Sequence, residues 1–276
     1  MLCVLIGFSY DGQAMTVDSQ ARAEPVTGWS DGVLPYAPLS TLKPLSDDVW
    51  WVDGPVARMR VGPLSLPFPT RMAIVRLRSG GLWLWSPTAP TPALFAEVDA
   101  LGPVEHLVSP NRFHYASIPA WKARYPHATA WASPGVRERA RSQRIDVVFD
   151  ADLEDTAPAV WATELGQHIF RGSRFVEEVA FFHGASSTLL LADMVMALEP
   201  ARLHPRWRWL LTLGGTMWPG QTPREVQVTS WGRTEQARAS YQRLREWQPR
   251  RVLLGHGRCY LEDGAAQLER AFAWLR

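Results

Sequence analysis

From Thr91 to Gln143 the chain alternates helix and strand patterns with short links, and this alternation restricts the fold more than any other feature. "TPALFAEVDALG" reads as a helix ended by Gly102, "VEHLV" as a strand, "SIPAWKARYP" as a helix stopped by Pro126, and "ATAWA" as a strand. Ser133-Pro134-Gly135 then predicts a helix through Gln143, with Ser133 at the cap and Pro134 at the first helical position. Such an order requires parallel pairing and helices packed on a sheet face.

The flanks carry more strands. "VWWVDG", "VARMRV" and "MAIVRLRSGGLWLW" predict an antiparallel meander, its last pair joined at Ser79-Gly80-Gly81. Beyond residue 165, "HIFRG" and "FVEEVAFF" predict a hairpin over Gly172-Ser173, and "STLLLAD" a strand. A Trp- and Pro-rich connection from Leu203 to about Pro223 leads to a helix "RTEQARASYQRLREW", a strand "RVLL" and a terminal helix "GAAQLERAFAWL". Two β-led halves closed by helices predict an α/β protein in which two sheets stack with helices outside. Residues 1–45, rich in Pro, Gly, Ser and Asp, are expected to form an arm or capping segment, partly disordered, and residues 46–276 a single domain.

Composition excludes several functions. The formal net charge of +2, from 29 basic and 27 acidic residues spread along the chain, gives no electrostatic footprint for nucleic acid. No apolar run approaches the roughly 20 residues of a membrane span. Two cysteines, Cys3 and Cys259, make no disulfide framework. The opening "MLCVLIGFSYDGQAM" lacks a positive n-region, and Met15 offers a second start. A cytoplasmic protein acting on a small molecule is the expectation. No P-loop, dinucleotide fingerprint or serine-hydrolase elbow is present.

Four polar strand ends draw attention. "VEHLVSPNRFH" ends in Asn111 and His114, "EVAFFHG" in His183, "STLLLAD" in Asp193, and "RVLLGHG" in His256 between two glycines. Ligands gather outside the carboxyl ends of strands in open α/β sheets, and three imidazoles with one carboxylate suit a zinc-type ion. The plainer reading is a hydrogen-bonded His at each end and Asp193 as the cap of a helix "MVMALEP". His106, His127, His168 and His204 show no such grouping. Trp50, Trp51, Trp83 and Trp85 read as packing residues on strands, whereas Trp207, Trp209 and Trp218 are placed to line a pocket.

Taken in order, "MAIVRLRSGGLWLWSPTAP", "LGPVEHLVSPNRFHYASIPAWKARYPHATAWASPG", "EVAFFHGASSTLLLADM" and "RVLLGHG" resemble the successive blocks of the metallo-β-lactamase-like superfamily. The "SPN..H" and "FFH..S.TL...D" blocks resemble one divergent family in it, described as a domain of unknown function. The resemblance runs from about Val49 to the C-terminus and implies an αββα four-layer sandwich of two mixed sheets, with the site at one edge. Catalytic relatives carry H-x-H-x-D-H where this chain reads Ser109, Pro110, Asn111, Arg112, Phe113, His114, so only the last His is kept. His183 would then match the later lone His, Asp193 the bridging carboxylate and His256 the final His, with a shorter interval from His183 to Asp193 than is usual. Two imidazoles and an aspartate of the usual dinuclear centre are gone.

The resemblance thus implies at most one Zn or Fe ion, held by His114, His183, Asp193 and His256, with Asn111 as a weak amide donor; Trp218 is the pocket-lining residue read from the connection itself. His114 and Asp193 would serve catalysis, Asp193 by orienting a metal-bound water that attacks a small ester, lactone, thioester or related bond. Two other readings stand beside this one: a metal-free descendant that binds a ligand or partner, and a mononuclear iron redox protein.

Overall fold

The structure, a computed structural model, describes residues 32–61 and 64–276. Cys3 and Met15 lie outside them. In chain order the strands and helices are β1 (Lys43–Ser46), β2 (Val49–Val61), β3 (Leu64–Arg76), β4 (Leu82–Trp85), α1 (Pro92–Asp99), β5 (Val104–Val108), α2 (Ile118–Arg124), β6 (Thr129–Ala132), α3 (Val136–Ser142) and β7 (Ala151–Asp152). They continue with β8 (Leu165–Phe170), β9 (Glu178–His183), β10 (Thr188–Leu191), α4 (Pro205–Leu213), α5 (Arg224–Thr229), α6 (Thr234–Glu246), β11 (Arg251–Leu254) and α7 (Gly264–Ala271).

Among the described residues, β1 to β7 form one sheet in sequence order and β11-β10-β9-β8 a second. Both are mixed. β1 to β4 pair antiparallel and β4 to β7 parallel. In the second sheet β10 and β11 run parallel, while β9 runs against both β8 and β10.

Strand periodicity sorts the side chains into layers. On β4, Trp83 and Trp85 point between the sheets toward Trp161, Leu165 and Phe181, and Leu82 and Leu84 point the other way onto the layer of α1, α2 and α3. On β10, Leu190 joins the core between the sheets, and Leu189 and Leu191 pack toward Tyr241 and Leu244 of α6 and Leu268 of α7. Each fully buried large apolar side chain contributes about 1.5–3 kcal/mol. The αββα sandwich follows from these three cores.

Local differences from the sequence reading have physical causes. "VWWVDG" and "VARMRV" are one strand, β2, bent by an irregularity between Gly54 and Val56. β3 meets β4 only over Ala73–Arg76, so its first half and the facing part of β2 project as a two-stranded arm. Pro67 and Pro69 fit there because their missing N–H groups are not needed by a third strand. α3 begins at Val136, not at Pro134: Gly135, at φ 74°, turns the chain into the helix, and the Ser133 carbonyl accepts from Val136 N. No α-helix starts at Asp193. Within "MVMALEP" the chain bridges from Met196 to Gln221, Ala197 to Gly257 and Leu198 to Met217, and only Pro200 enters a short 3-10 turn, Pro200–Arg202. The Trp-rich connection contains α4, with Pro205 in its first turn.

The described part of the N-terminal segment lies on the domain. Val33 bridges Leu203, and β1 extends the first sheet beside β2. No helix among the described residues is long and apolar enough to cross a membrane.

Candidate metal centre

Parallel pairing decides where polar strand ends meet. β4, β5 and β6 finish at one edge of the first sheet, and β10 and β11 finish at one edge of the second. Past these ends the chain places Ser86, the loop Ser109–His114, Asp193 and His256. Three of these residues converge: one ligand atom each from His114, Asp193 and His256 lies within 4.8 Å of the others. His114 Nε2 stands 3.2 Å from Asp193 Oδ2, and His256 Nε2 stands 3.2 Å from Asp193 Oδ1. The side chains keep 9%, 10% and 11% of their surface exposed, so the group is sheltered yet reachable from solvent.

The other ring nitrogens are tied down. His256 Nδ1 lies 2.7 Å from the Pro69 carbonyl, which can only accept, so the ring donates there and turns Nε2 toward Asp193. His114 Nδ1 lies 2.6 Å from Ser86 Oγ. Ser86 itself sits at φ 51°, a left-handed conformation that non-glycine residues rarely adopt, with its N–H donating to the Val108 carbonyl. Gly255 permits the closure of the two loops: a Cβ there would lie 3.0 Å from the Ala192 carbonyl oxygen and 3.2 Å from His114 Cε1.

Arg71, in the projecting half of β3, fixes the loop of His256 from beneath. Its Nη1 donates to the carbonyls of Leu254 at 2.6 Å and Gly257 at 2.8 Å, and its Nη2 pairs with Asp53 Oδ1 at 2.6 Å. Lys43 Nζ takes the other oxygen of Asp53 at 2.7 Å. Nothing in the sequence marks this arginine among so many; only the register of β2 and β3 brings it under the site.

Asn111 is no ligand donor. Its Oδ1 accepts from Phe113 N at 2.8 Å, and its Nδ2 donates to Asp193 Oδ2 at 2.7 Å and Glu178 Oε2 at 3.1 Å. Glu178 is fully buried, and its one signal in the sequence is a carboxylate opening the apolar run "VAFF". Burial and the neighbouring Asp193 charge push its carboxyl up, against the backbone N–H groups of Asp193 and Ala192, which hold it down. All four of its hydrogen-bond partners are donors, the pattern an ionised carboxylate satisfies.

Burial alone would raise Asp193, but the two imidazoles hold it well below the usual carboxylate range. Burial likewise works against the charged form of His256, and the hydrogen bond and charge of Asp193, with the Pro69 carbonyl, more than offset it, so its pKa is raised.

His183 does not join the group. β9 runs antiparallel to β10, and His183 pairs with Thr188 at the start of β10, so the whole length of β10, Thr188–Leu191, separates it from the turn that carries Asp193. Its Nδ1 lies 2.8 Å from Ser186 Oγ. The three connection tryptophans do not share a pocket either. Trp218 packs against Tyr260 under the Arg258 guanidinium, Trp207 against the cluster of Val33, Leu66 and Phe68, and Trp209 is 62% exposed. His106 is a buried core residue that accepts from Trp131 Nε1 at 3.3 Å, with burial pushing its pKa down to about 4.

The family profile described as "Domain of unknown function (DUF4336)" matches residues 47–204. No curated protein matches the chain. Among solved structures, VMB-1 aligns with a TM-score of 0.58 and 13% identity over 85% of this chain and 95% of that one. A metallo-beta-lactamase from Pontibacter korlensis gives 0.56 and 14% over 85% and 98%. The Flv1 flavodiiron core from Synechocystis sp. PCC6803 gives 0.55 and 11% over 85% and 60%. Identities this low speak for the fold alone. With the profile covering more than half of its length, the chain belongs to the DUF4336 family, a divergent family with the metallo-β-lactamase fold.

Proposed function

We propose that the protein is a metal-dependent hydrolase with a single ion held by His114, Asp193 and His256, acting on a small ester, lactone, thioester or related bond. The observation that carries this reading is the convergence of two imidazole Nε2 atoms on one carboxylate, each ring held from behind through Nδ1. This donor set suits Zn²⁺ or Fe²⁺, and three protein ligands leave a coordination position for other molecules. When bound, such an ion supplies Lewis acidity and activates water. The chain's own residues orient and shelter: Asp193 spans the two imidazoles, and Phe68, with its ring 5.5 Å from that of His256, and Trp85, 6.4 Å from His114, form apolar walls.

The test is metal analysis of protein purified without added metal, followed by hydrolysis of a panel of p-nitrophenyl esters, lactones and thioesters. About one equivalent of Zn or Fe with ester turnover supports the reading. Failure to take up Zn²⁺, Fe²⁺ or Co²⁺ by calorimetry removes it and leaves a metal-free binding protein. Because a flavodiiron core shares the fold, visible absorption and reaction with oxygen separate iron redox chemistry from hydrolysis.

Ser86 gives a further expectation. Ser86→Ala removes the partner of His114 Nδ1 and should weaken metal binding about 10-fold or more while leaving the fold intact. Competition against a fluorescent chelator measures it; unchanged affinity would show that the ring is held by packing alone.

A further inference from the structure

Glu178 stands where three segments of the centre meet. Asn111 and Glu178 form a backbone bridge, and Val179 N donates to the Pro110 carbonyl, so the start of β9 is stitched to the loop that carries His114. From there the Glu178 carboxylate crosses to the turn after β10. Its Oε1 accepts from Ala192 N at 2.8 Å, and its Oε2 accepts from Asp193 N at 2.6 Å and Met194 N at 3.2 Å. Asn111 Nδ2 completes the set by touching Glu178 and Asp193 together. One side chain therefore holds the backbone, and through Asn111 the carboxylate, of Asp193.

Its charge adds a second argument. Glu178 and Asp193 are both buried, and each disfavours the other's ionised form. Two ionised carboxylates and two neutral imidazoles sum to two negative charges, which a divalent cation neutralises.

We propose that Glu178 is the positioning residue of the centre: it fixes Asp193 between the two imidazoles and completes the charge that a divalent cation balances. The cation half of this inference rests on the hydrolase reading above; the positioning half does not.

Glu178→Gln keeps the shape but sets an amide NH₂ against N–H donors. The experiment has two arms on the full chain. In metal-free protein, long-range ¹H–¹⁵N spectra report the rings of His114 and His256; in the variant their signals should move while those of His106 stay. In the second arm Co²⁺ is titrated, and the variant should bind about 10- to 100-fold more weakly with shifted visible bands, a signature that a role in folding alone would not move. Ring signals identical to wild type overturn the positioning role, and unchanged Co²⁺ affinity and bands overturn the charge role. Should the wild type take no Co²⁺, the metal reading and the charge role fall together, and the ring signals still decide positioning. Asn111→Ala, which leaves the three backbone bonds to Glu178 intact, passes through the same arms if Glu178→Gln does not fold.

Discussion

Asp193→Ala is expected to abolish metal binding and the thermal stabilisation that comes with it. In the wild type, ion at 1,000 times its Kd adds about 4 kcal/mol to stability; in the variant, both imidazoles lose the oxygen they share. Differential scanning fluorimetry with and without Zn²⁺ should show a large upward shift for wild type, none for Asp193→Ala, and the full shift for His183→Ala, whose ring lies at the far end of the sheet. A full shift in Asp193→Ala would mean that the ion binds elsewhere.

The same centre shapes the pH dependence of the metal-free protein. Asp193 is held below its ordinary 3.8, so its contribution is present above that value and is lost as pH falls further. His256 is raised above its ordinary 6.5, so its contribution is full below 6.5 and is lost as pH rises through the raised value. Glu178 is raised from 4.5, so its contribution is full below that value and is lost as pH rises through the raised one. Metal-free stability should therefore peak between about pH 3.8 and 4.5 and fall toward the alkaline side, which added Zn²⁺ should lift where the ion replaces the proton on His256.

Arg71→Met should be the most damaging single change outside the ligands. The guanidinium is buried, and its removal leaves Asp53 with Lys43 and Trp51 alone and strips the carbonyls of Leu254 and Gly257 of their shared donor. Breaking a buried pair from one side costs about 3–5 kcal/mol, a fall in Tm on the order of 10 °C for a chain of this size. Urea unfolding of the chelator-treated protein measures the loss free of any metal effect. A cost below about 1 kcal/mol would mean that the loop of His256 is held by its backbone contacts. The loss should also reach the centre, because Gly255 and His256 lie between the two carbonyls that Arg71 holds.

Much of this architecture is legible in the sequence. Continuous apolar runs in "LWLW", "TLLL" and "RVLL" mark strands buried on both faces, and the helix–strand alternation after Thr91 requires parallel pairing. Two of the three imidazoles singled out at strand ends, with Asp193, do converge, because β5, β10 and β11 each finish at the site edge. The same reasoning misplaced His183, since a strand end says nothing about the direction in which its strand runs. The helix expected after Asp193 failed for a related reason: "MVMALEP" has helical residues, but its backbone pairs with Gln221, Gly257 and Met217, partners far along the chain.

The sequence by itself determined the layers, because side-chain periodicity is local and each strand or helix writes its own pattern. It also determined which residue types could meet a cation. Only the tertiary structure decided which of them do: antiparallel β9 sent His183 away and brought Glu178 in, and the register of β2 against β3 set Arg71 beneath His256. Strand direction and register depend on pairings between distant segments, and Asn111 shows the consequence, since its amide was free to be a ligand until Phe113, Asp193 and Glu178 claimed its atoms.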